Sequence, residues 1–171
     1  MSVEEELHEH AEHAREPFDK KVAATMAGIA AALAIVAVFG HLTTTEELLN
    51  QQKSSDQWAF YQAKNIRRYE SEIARDTLTA LKGERAAEYA KNVTRYEEEG
   101  KEIQKEATEL QAESRLAGRK ALRLHIGEVF LEIGIVLASL AILTKRELMW
   151  LVAVIAAIAG TTTACSTLLI H

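Results

Sequence analysis

Three long apolar runs, separated by strongly charged segments, constrain this chain more than any other feature of its sequence. The runs cover 22–40, 126–143 and 148–170, and together they contain only two of the 45 Asp, Glu, Lys and Arg side chains in 171 residues. A helix of about 18 or more apolar residues can cross the roughly 30 Å hydrocarbon layer of a membrane. The sequence therefore predicts an all-α protein with three transmembrane helices and excludes a purely soluble globule.

The charged segment 42–124 predicts a long helical hairpin between the first two transmembrane helices. It contains 15 acidic and 15 basic side chains and no proline. Twelve of its residues follow alternating steps of 3 and 4, which is the heptad spacing of a coiled-coil seam. Half of the twelve are Ala, Ser or Gly, so we expect the arms to approach closely. They are Ala86, Tyr89, Val93, Tyr96, Gly100, Ile103, Ala107, Leu110, Ser114, Ala117, Ala121 and Leu124.

The tip of this antiparallel hairpin is predicted near Gly83, the midpoint of the segment, because glycine turns readily between helices. Gly100 is the rival position, although it lies inside the heptad seam. In the first arm, Ile66, Tyr69 and Ile73 repeat the heptad spacing less regularly. Each arm can continue directly into its transmembrane helix.

Residues 1–21 are predicted to form a short acidic, His-rich helix that ends at Pro17, the only proline. Its acidic start does not resemble the positively charged beginning of a cleaved secretory signal. The predicted order after this helix is a transmembrane helix at 22–41, the hairpin at 42–124, and transmembrane helices at 125–144 and 148–170.

Glu128 and Glu132 are the two charged residues inside the apolar runs, and they share a helix face with His125. Ionisable groups at membrane depth are costly and mark a functional hypothesis by default. Three spans would place His41 and His171 at the same membrane surface as His125. Histidines and carboxylates can relay protons or bind a divalent cation, so this group is a candidate ion or proton site.

Two alternatives qualify this interpretation of the ionisable residues. Arg119 and Arg123 can extend to the lipid headgroups while the two glutamates pair across subunits, which is a structural role. A weak metal candidate is the tract of His8, His10 and His13. His8 and His10 diverge by about 200° on a helix, so one ion cannot bind the whole tract unless it unwinds.

Small residues at intervals of four predict helix packing in the membrane, where close backbone approach drives association. One stripe lies in the first span and one in the third. A single contact within the chain would not need both stripes, so they are predicted to pack subunits together in an oligomer. Trp58, with Phe60 and Tyr61, is predicted to be buried between subunits, since aromatic clusters on polar helices anchor interfaces. The stripes are Ala24, Gly28 and Ala32, and Ala156, Gly160 and Ala164.

The segments HAEHAREPFDKK (10–21), DQWAFYQAKNIR (56–67) and EVFLEIGIVLASLAILTKR (128–146) resemble an uncharacterised family of small bacterial membrane proteins that carry a domain of unknown function. The resemblance spans nearly the whole chain. It implies a bacterial multi-span protein with the same long loop, and it implies no activity, cofactor or catalytic residue.

The function predicted from the sequence is non-catalytic, since the chain contains no phosphate-binding loop, zinc-protease motif, nucleophile elbow or cysteine pair. No cofactor is expected. The net charge of -5 and the lack of a clustered basic patch argue against a nucleic-acid partner. We expect a homo-oligomeric scaffold or membrane-organising component in the lipid bilayer, whose hairpin can also dock a protein partner. The alternative is an ion or proton transport component that uses Glu128 and Glu132.

The predicted location is the bacterial inner membrane, with the N-terminus in the cytoplasm. Basic residues flank the spans on both sides, but those attached to the long hairpin count less in the positive-inside rule. On the N-terminal side they are Arg15, Lys20, Lys21, Lys145 and Arg146, and on the hairpin side Arg115, Arg119, Lys120 and Arg123.

Overall fold

The structure is a computed structural model that describes the backbone of residues 3–170 and the side chains of residues 17–170. It contains α1 (Val3–Ala80), α2 (Ala86–Thr144) and α3 (Glu147–Cys165), followed by a 3-10 helix at Ser166–Leu169. The described part of the chain has no β-strand, which confirms the all-α prediction. By length and composition, each of the three α-helices contains a segment able to cross a membrane.

Pro17 does not end the first helix, so the prediction of a boundary there is wrong. α1 continues through Pro17 as one helix of 78 residues. A proline inside a helix removes one backbone donor at a cost of about 3 kcal/mol. The hydrogen bonds of the long helix on either side outweigh that single loss.

The chain divides into two units, which we describe separately. The span unit comprises the residues up to Thr44 and those from Gly118 onward. Its core has two apolar clusters, one around Leu131 and one around Val22, and both of these side chains are fully buried. The Leu131 cluster contains Ile29, Val36, Leu124 and Ala164, and the Val22 cluster contains Ala138, Ala141 and Ala153.

The hairpin unit, Thr45–Ala117, packs α1 against α2 through small residues. The predicted seam positions in this unit are all buried or half-buried. Because these side chains are small, the hydroxyl of Ser54 reaches the backbone of the other arm and donates to the carbonyl of Ala107 at 2.9 Å. Ser114 likewise donates to the carbonyl of Glu47 at 3.1 Å.

The turn between the arms lies around Gly83, but the left-handed residue is Lys82, with φ of 55°. The Gly83 amide donates to the carbonyl of Leu78 at 2.7 Å, and the Lys82 amide donates to that of Thr79 at 3.2 Å. This hydrogen-bond pair is the Schellman motif that ends many helices. A Cβ atom at Gly83 would lie 2.9 Å from Leu78 Cδ2, so the end of that leucine side chain would have to shift to admit a larger residue. Gly100 lies within α2.

The third helix is shorter than its apolar run, because the last residues tighten into the 3-10 helix. Two hydroxyls bond to carbonyls three residues back at this point. Ser166 Oγ donates to Thr163 at 2.7 Å, and Thr167 Oγ1 donates to Ala164 at 2.7 Å. Such side-chain bonds compete with the α-helical pattern and favour a tighter turn.

Candidate functional site

His125 is the centre of a polar cluster in the span unit. Its Nδ1 atom lies 3.2 Å from Glu128 Oε2, and its Nε2 atom lies 3.2 Å from the hydroxyl oxygen of Thr44. The ring packs beside Gly40 of α1, where an added Cβ atom would lie 3.6 Å from His125 Cε1, an ordinary van der Waals distance. The helix spacing of three residues brings His125 and Glu128 together, and the fold adds Thr44.

This geometry allows the imidazole to change charge without losing its partners. A neutral ring can donate through Nδ1 to the Glu128 carboxylate while Nε2 accepts the Thr44 hydroxyl proton. A doubly protonated ring can donate to both oxygens. The side chains are 45% exposed for His125 and 24% exposed for Glu128, so the pair is open on one side.

The other predicted members of this site are exposed or lie outside the residues whose side chains are described. Glu132, one turn beyond Glu128, is exposed and pairs with no side chain among residues 17–170. His41 is exposed on α1. His171 and the tract of His8, His10 and His13 lie outside the residues whose side chains are described. Where side chains are described, no group of three or more His, Cys, Asp or Glu could hold a metal ion.

Neither Arg119 nor Arg123 forms a hydrogen bond or ion pair with Glu128 or Glu132 in the structure. Arg123 Nη1 instead donates to Ser166 Oγ at 3.1 Å, which ties α2 to the 3-10 helix. Arg119 is exposed. The partner of Glu128 in the structure is therefore His125.

Charged side chains of the hairpin unit pair both between the two arms and within one arm. Lys64 donates to Glu99 across the two arms, and this hydrogen bond holds the pKa of the Glu99 carboxyl below its usual range. The pKa of Glu97 is lowered by its hydrogen bond to Lys101, one turn away, at 2.8 Å. These pairs are typical of a solvated helical surface.

An apolar stripe on α1 faces away from the buried side of the hairpin unit. We call it the outer stripe, and it consists of Leu48, Ser55, Ala59, Ile66, Tyr69 and Ile73. All six residues are exposed, and the isoleucines are 59% and 68% exposed. Their separations of 7, 4, 7, 3 and 4 residues fit a heptad repeat whose two skipped positions hold the exposed polar residues Gln52 and Gln62. The buried Ser71 lies two residues from Ile73 and thus roughly 200° away around the helix.

Glycines hold α2 and α3 at close approach in the span unit. A Cβ atom at Gly160 would lie 2.7 Å from the carbonyl oxygen of Gly127, and one at Gly127 would lie 2.8 Å from that of Gly160. Gly134 is similarly close, at 3.2 Å, to the carbonyl oxygen of Ala153. The sequence analysis missed Gly127 and Gly134. Their spacing of seven, which matches the spacing of Ala153 and Gly160, is the signal that could have found them.

The residues predicted for oligomer packing occupy different environments. Gly160 and Ala164 are buried in the α2–α3 contact, and Ala156 is half-buried. Ala24 and Gly28 are exposed, and a Cβ atom at Gly28 would meet nothing within 4 Å. Ala32 packs against the Leu131 cluster.

Trp58 is half-buried on α1 and stacks edge-on against Tyr61, with ring centroids 5.6 Å apart. The neighbouring Phe60 is 61% exposed. Trp58 lies eleven residues before Tyr69, which is about three helical turns, and so it borders the outer stripe. Its burial between subunits stays a prediction.

Comparison with known proteins identified one family. The family DUF4337, described as a domain of unknown function, matches residues 18–170. No curated protein and no solved structure matches the chain.

Proposed function

The chain belongs to the DUF4337 family, which is defined by a domain of unknown function, and on that premise we propose a role from its architecture. We propose that the protein is a non-catalytic, homo-oligomeric scaffold or membrane-organising component of the bacterial inner membrane. The hairpin unit serves for assembly of the copies and for docking of a protein partner. The observation that carries this proposal is the outer stripe.

Membrane insertion is supported by the exterior of the span unit. Large apolar side chains cover it, and many are more than half exposed, as in Phe39 at 57% and Ile155 at 57%. In water such a surface would aggregate, whereas in a bilayer it contacts acyl chains. The small buried residues between α2 and α3 are typical of helix packing in lipid.

Assembly is supported by the outer stripe because a heptad face that stays exposed in one chain can pair with another helix. In a symmetric oligomer of identical chains, the stripe of one copy can meet the same stripe of another copy. The mass of the detergent-solubilised protein tests the proposal. We expect a species larger than one chain, and a single-chain mass in several mild detergents at micromolar concentration would contradict it.

Topology is tested by labelling a cysteine at the hairpin tip. We expect Glu84→Cys, in a Cys165→Ser background, to react with an impermeant maleimide in intact spheroplasts, because the hairpin is proposed to be external. Glu84 is exposed in the turn, so access does not limit the reaction. The matched control is Arg146→Cys, exposed between α2 and α3, which should react only after lysis. The opposite labelling of the two variants would reverse the proposed orientation.

The second candidate function is proton or ion transport, and the His125–Glu128–Thr44 cluster favours it. An imidazole that keeps hydrogen-bond partners in both charge states can pass a proton. In this alternative, Glu132, one helical turn beyond Glu128, would accept or donate the transported proton or ion as part of a path through the oligomer.

Neutral variants of the two glutamates distinguish these functions. We expect Glu128→Gln with Glu132→Gln to alter detergent stability or oligomer yield without changing ion or proton flux in liposomes. The physical reason is that glutamine keeps the shape of the side chain and removes its charge and titration. The measurement is fluorescence of a pH-sensitive or ion-sensitive dye trapped in proteoliposomes. A conducting wild type with a silent but correctly assembled double variant would favour transport over the scaffold.

A further inference from the structure

A groove of about 490 Å³ opens on the span unit near the end of α3. Ile35 and Phe39 of α1 line one side, Leu124 of α2 lies in it, and Cys165 and Leu168 line the other side. The lining is almost entirely apolar. At the α2 side the groove also contacts Lys120, six residues before the apolar run begins at 126.

Lys120 is the one polar group of the groove that lacks a partner among the described residues. Its side chain is half-buried and forms no hydrogen bond or ion pair with residues 17–170. By contrast, the Thr43 hydroxyl donates to the Phe39 carbonyl at 2.8 Å, and the Thr167 hydroxyl donates to the Ala164 carbonyl at 2.7 Å. The lining residues include no acidic side chain. Among residues 17–170, an ammonium group is thus held beside an apolar surface with no paired carboxylate.

An apolar groove with a single cation beside it is complementary to an amphiphile with an anionic head. We propose that this groove binds one acyl chain of an anionic phospholipid and that Lys120 binds its phosphate group. The inference rests on the membrane placement proposed above. The position of Lys120 just outside the apolar run agrees with the level at which lipid phosphates lie. An apolar peptide segment would fill the groove but would leave the charge of Lys120 uncompensated.

The test is lipid binding by the full chain in a mild detergent, measured by native mass spectrometry with phosphatidylglycerol and phosphatidylcholine of identical acyl chains. We expect the wild type to retain phosphatidylglycerol preferentially and Lys120→Gln to weaken this preference about fivefold. Arg119→Gln is the matched control, since it removes the same charge from the adjacent exposed position and should retain the preference. Lys120→Arg should also retain it.

Cys165 reports whether the acyl chain enters the groove, because it lines the groove and is the only cysteine. We expect phosphatidylglycerol to slow its alkylation by N-ethylmaleimide, and glycerophosphoglycerol, which has the headgroup without acyl chains, to have no effect. Equal losses of lipid preference in Lys120→Gln and Arg119→Gln would overturn the site in favour of general surface attraction. Equal protection of Cys165 by both phospholipids would also overturn it.

Carbonate extraction of membranes separates failure of this site from failure of the proposed function. Wild type released by carbonate would contradict membrane insertion itself. A carbonate-resistant protein without phosphatidylglycerol preference would contradict only the lipid site.

Discussion

Ile66→Glu combined with Ile73→Glu is expected to convert the oligomer into single chains. Each side chain is more than half exposed in one chain, so its burial depends on another copy. Fully burying an isoleucine contributes about 1.5–3 kcal/mol, and the glutamates would in addition place like charges opposite each other in a symmetric pairing. We therefore expect the association constant to fall at least about 100-fold. Light scattering coupled to size exclusion in detergent measures the change.

The control for this pair is Leu81→Glu at the hairpin tip. Leu81 is 73% exposed, so its replacement removes a similar apolar surface and adds the same charge outside the outer stripe. The helical content and melting temperature of the double variant should match the wild type, since neither isoleucine is buried within the chain. An intact oligomer in Ile66→Glu with Ile73→Glu, or dissociation in Leu81→Glu as well, would remove the outer stripe from the interface.

Gly160→Ala is expected to destabilise the span unit by about 1–3 kcal/mol. The added methyl would lie 2.7 Å from the carbonyl oxygen of Gly127 and 3.0 Å from Leu131 Cγ. Because the first neighbour is backbone, relief requires α2 and α3 to move apart, which loosens the packing of the fully buried Leu131. Unfolding in mixed micelles at increasing dodecyl sulfate concentration, followed by circular dichroism, measures the loss.

The matched control is Gly28→Ala, the same substitution in the first apolar run. A Cβ atom at Gly28 meets nothing within 4 Å, so no strain is introduced, and alanine favours the helix by up to about 1 kcal/mol. The stability of Gly28→Ala should equal or exceed that of the wild type. Equal unfolding of the two variants would show that the close approach at Gly160 does not limit the packing of α2 and α3.

The separation of charged segments from apolar segments along the chain was enough to predict three apolar helices. Whether a helix can cross a membrane depends on its own length and composition. The heptad seam of the second hairpin arm could also be predicted, since the spacing of small and apolar residues along a helix defines one of its faces. From Ala86 to Leu124, all twelve predicted positions are buried or half-buried. The local interpretation of Pro17 was wrong because a helix is cooperative, and one missing donor did not end it.

Tertiary structure alone decided which faces meet. A heptad repeat identifies a face but not its partner, so Ile66, Tyr69 and Ile73 could not be assigned to the inside or the outside of the hairpin. The small side chain of Ser54 lies inside with a hydrogen bond to Ala107, whereas Ile66, Tyr69 and Ile73 lie outside.

The same limit applies to the candidate site and to the glycine contacts. His125 and Glu128 were paired by helix spacing, whereas Thr44, 81 residues away in the chain, required the packing of α1 on α2. Gly127 meets Gly160 because of the relative rotation and separation of two helices. No local pattern specifies that rotation, since it results from the simultaneous packing of all the side chains between the helices.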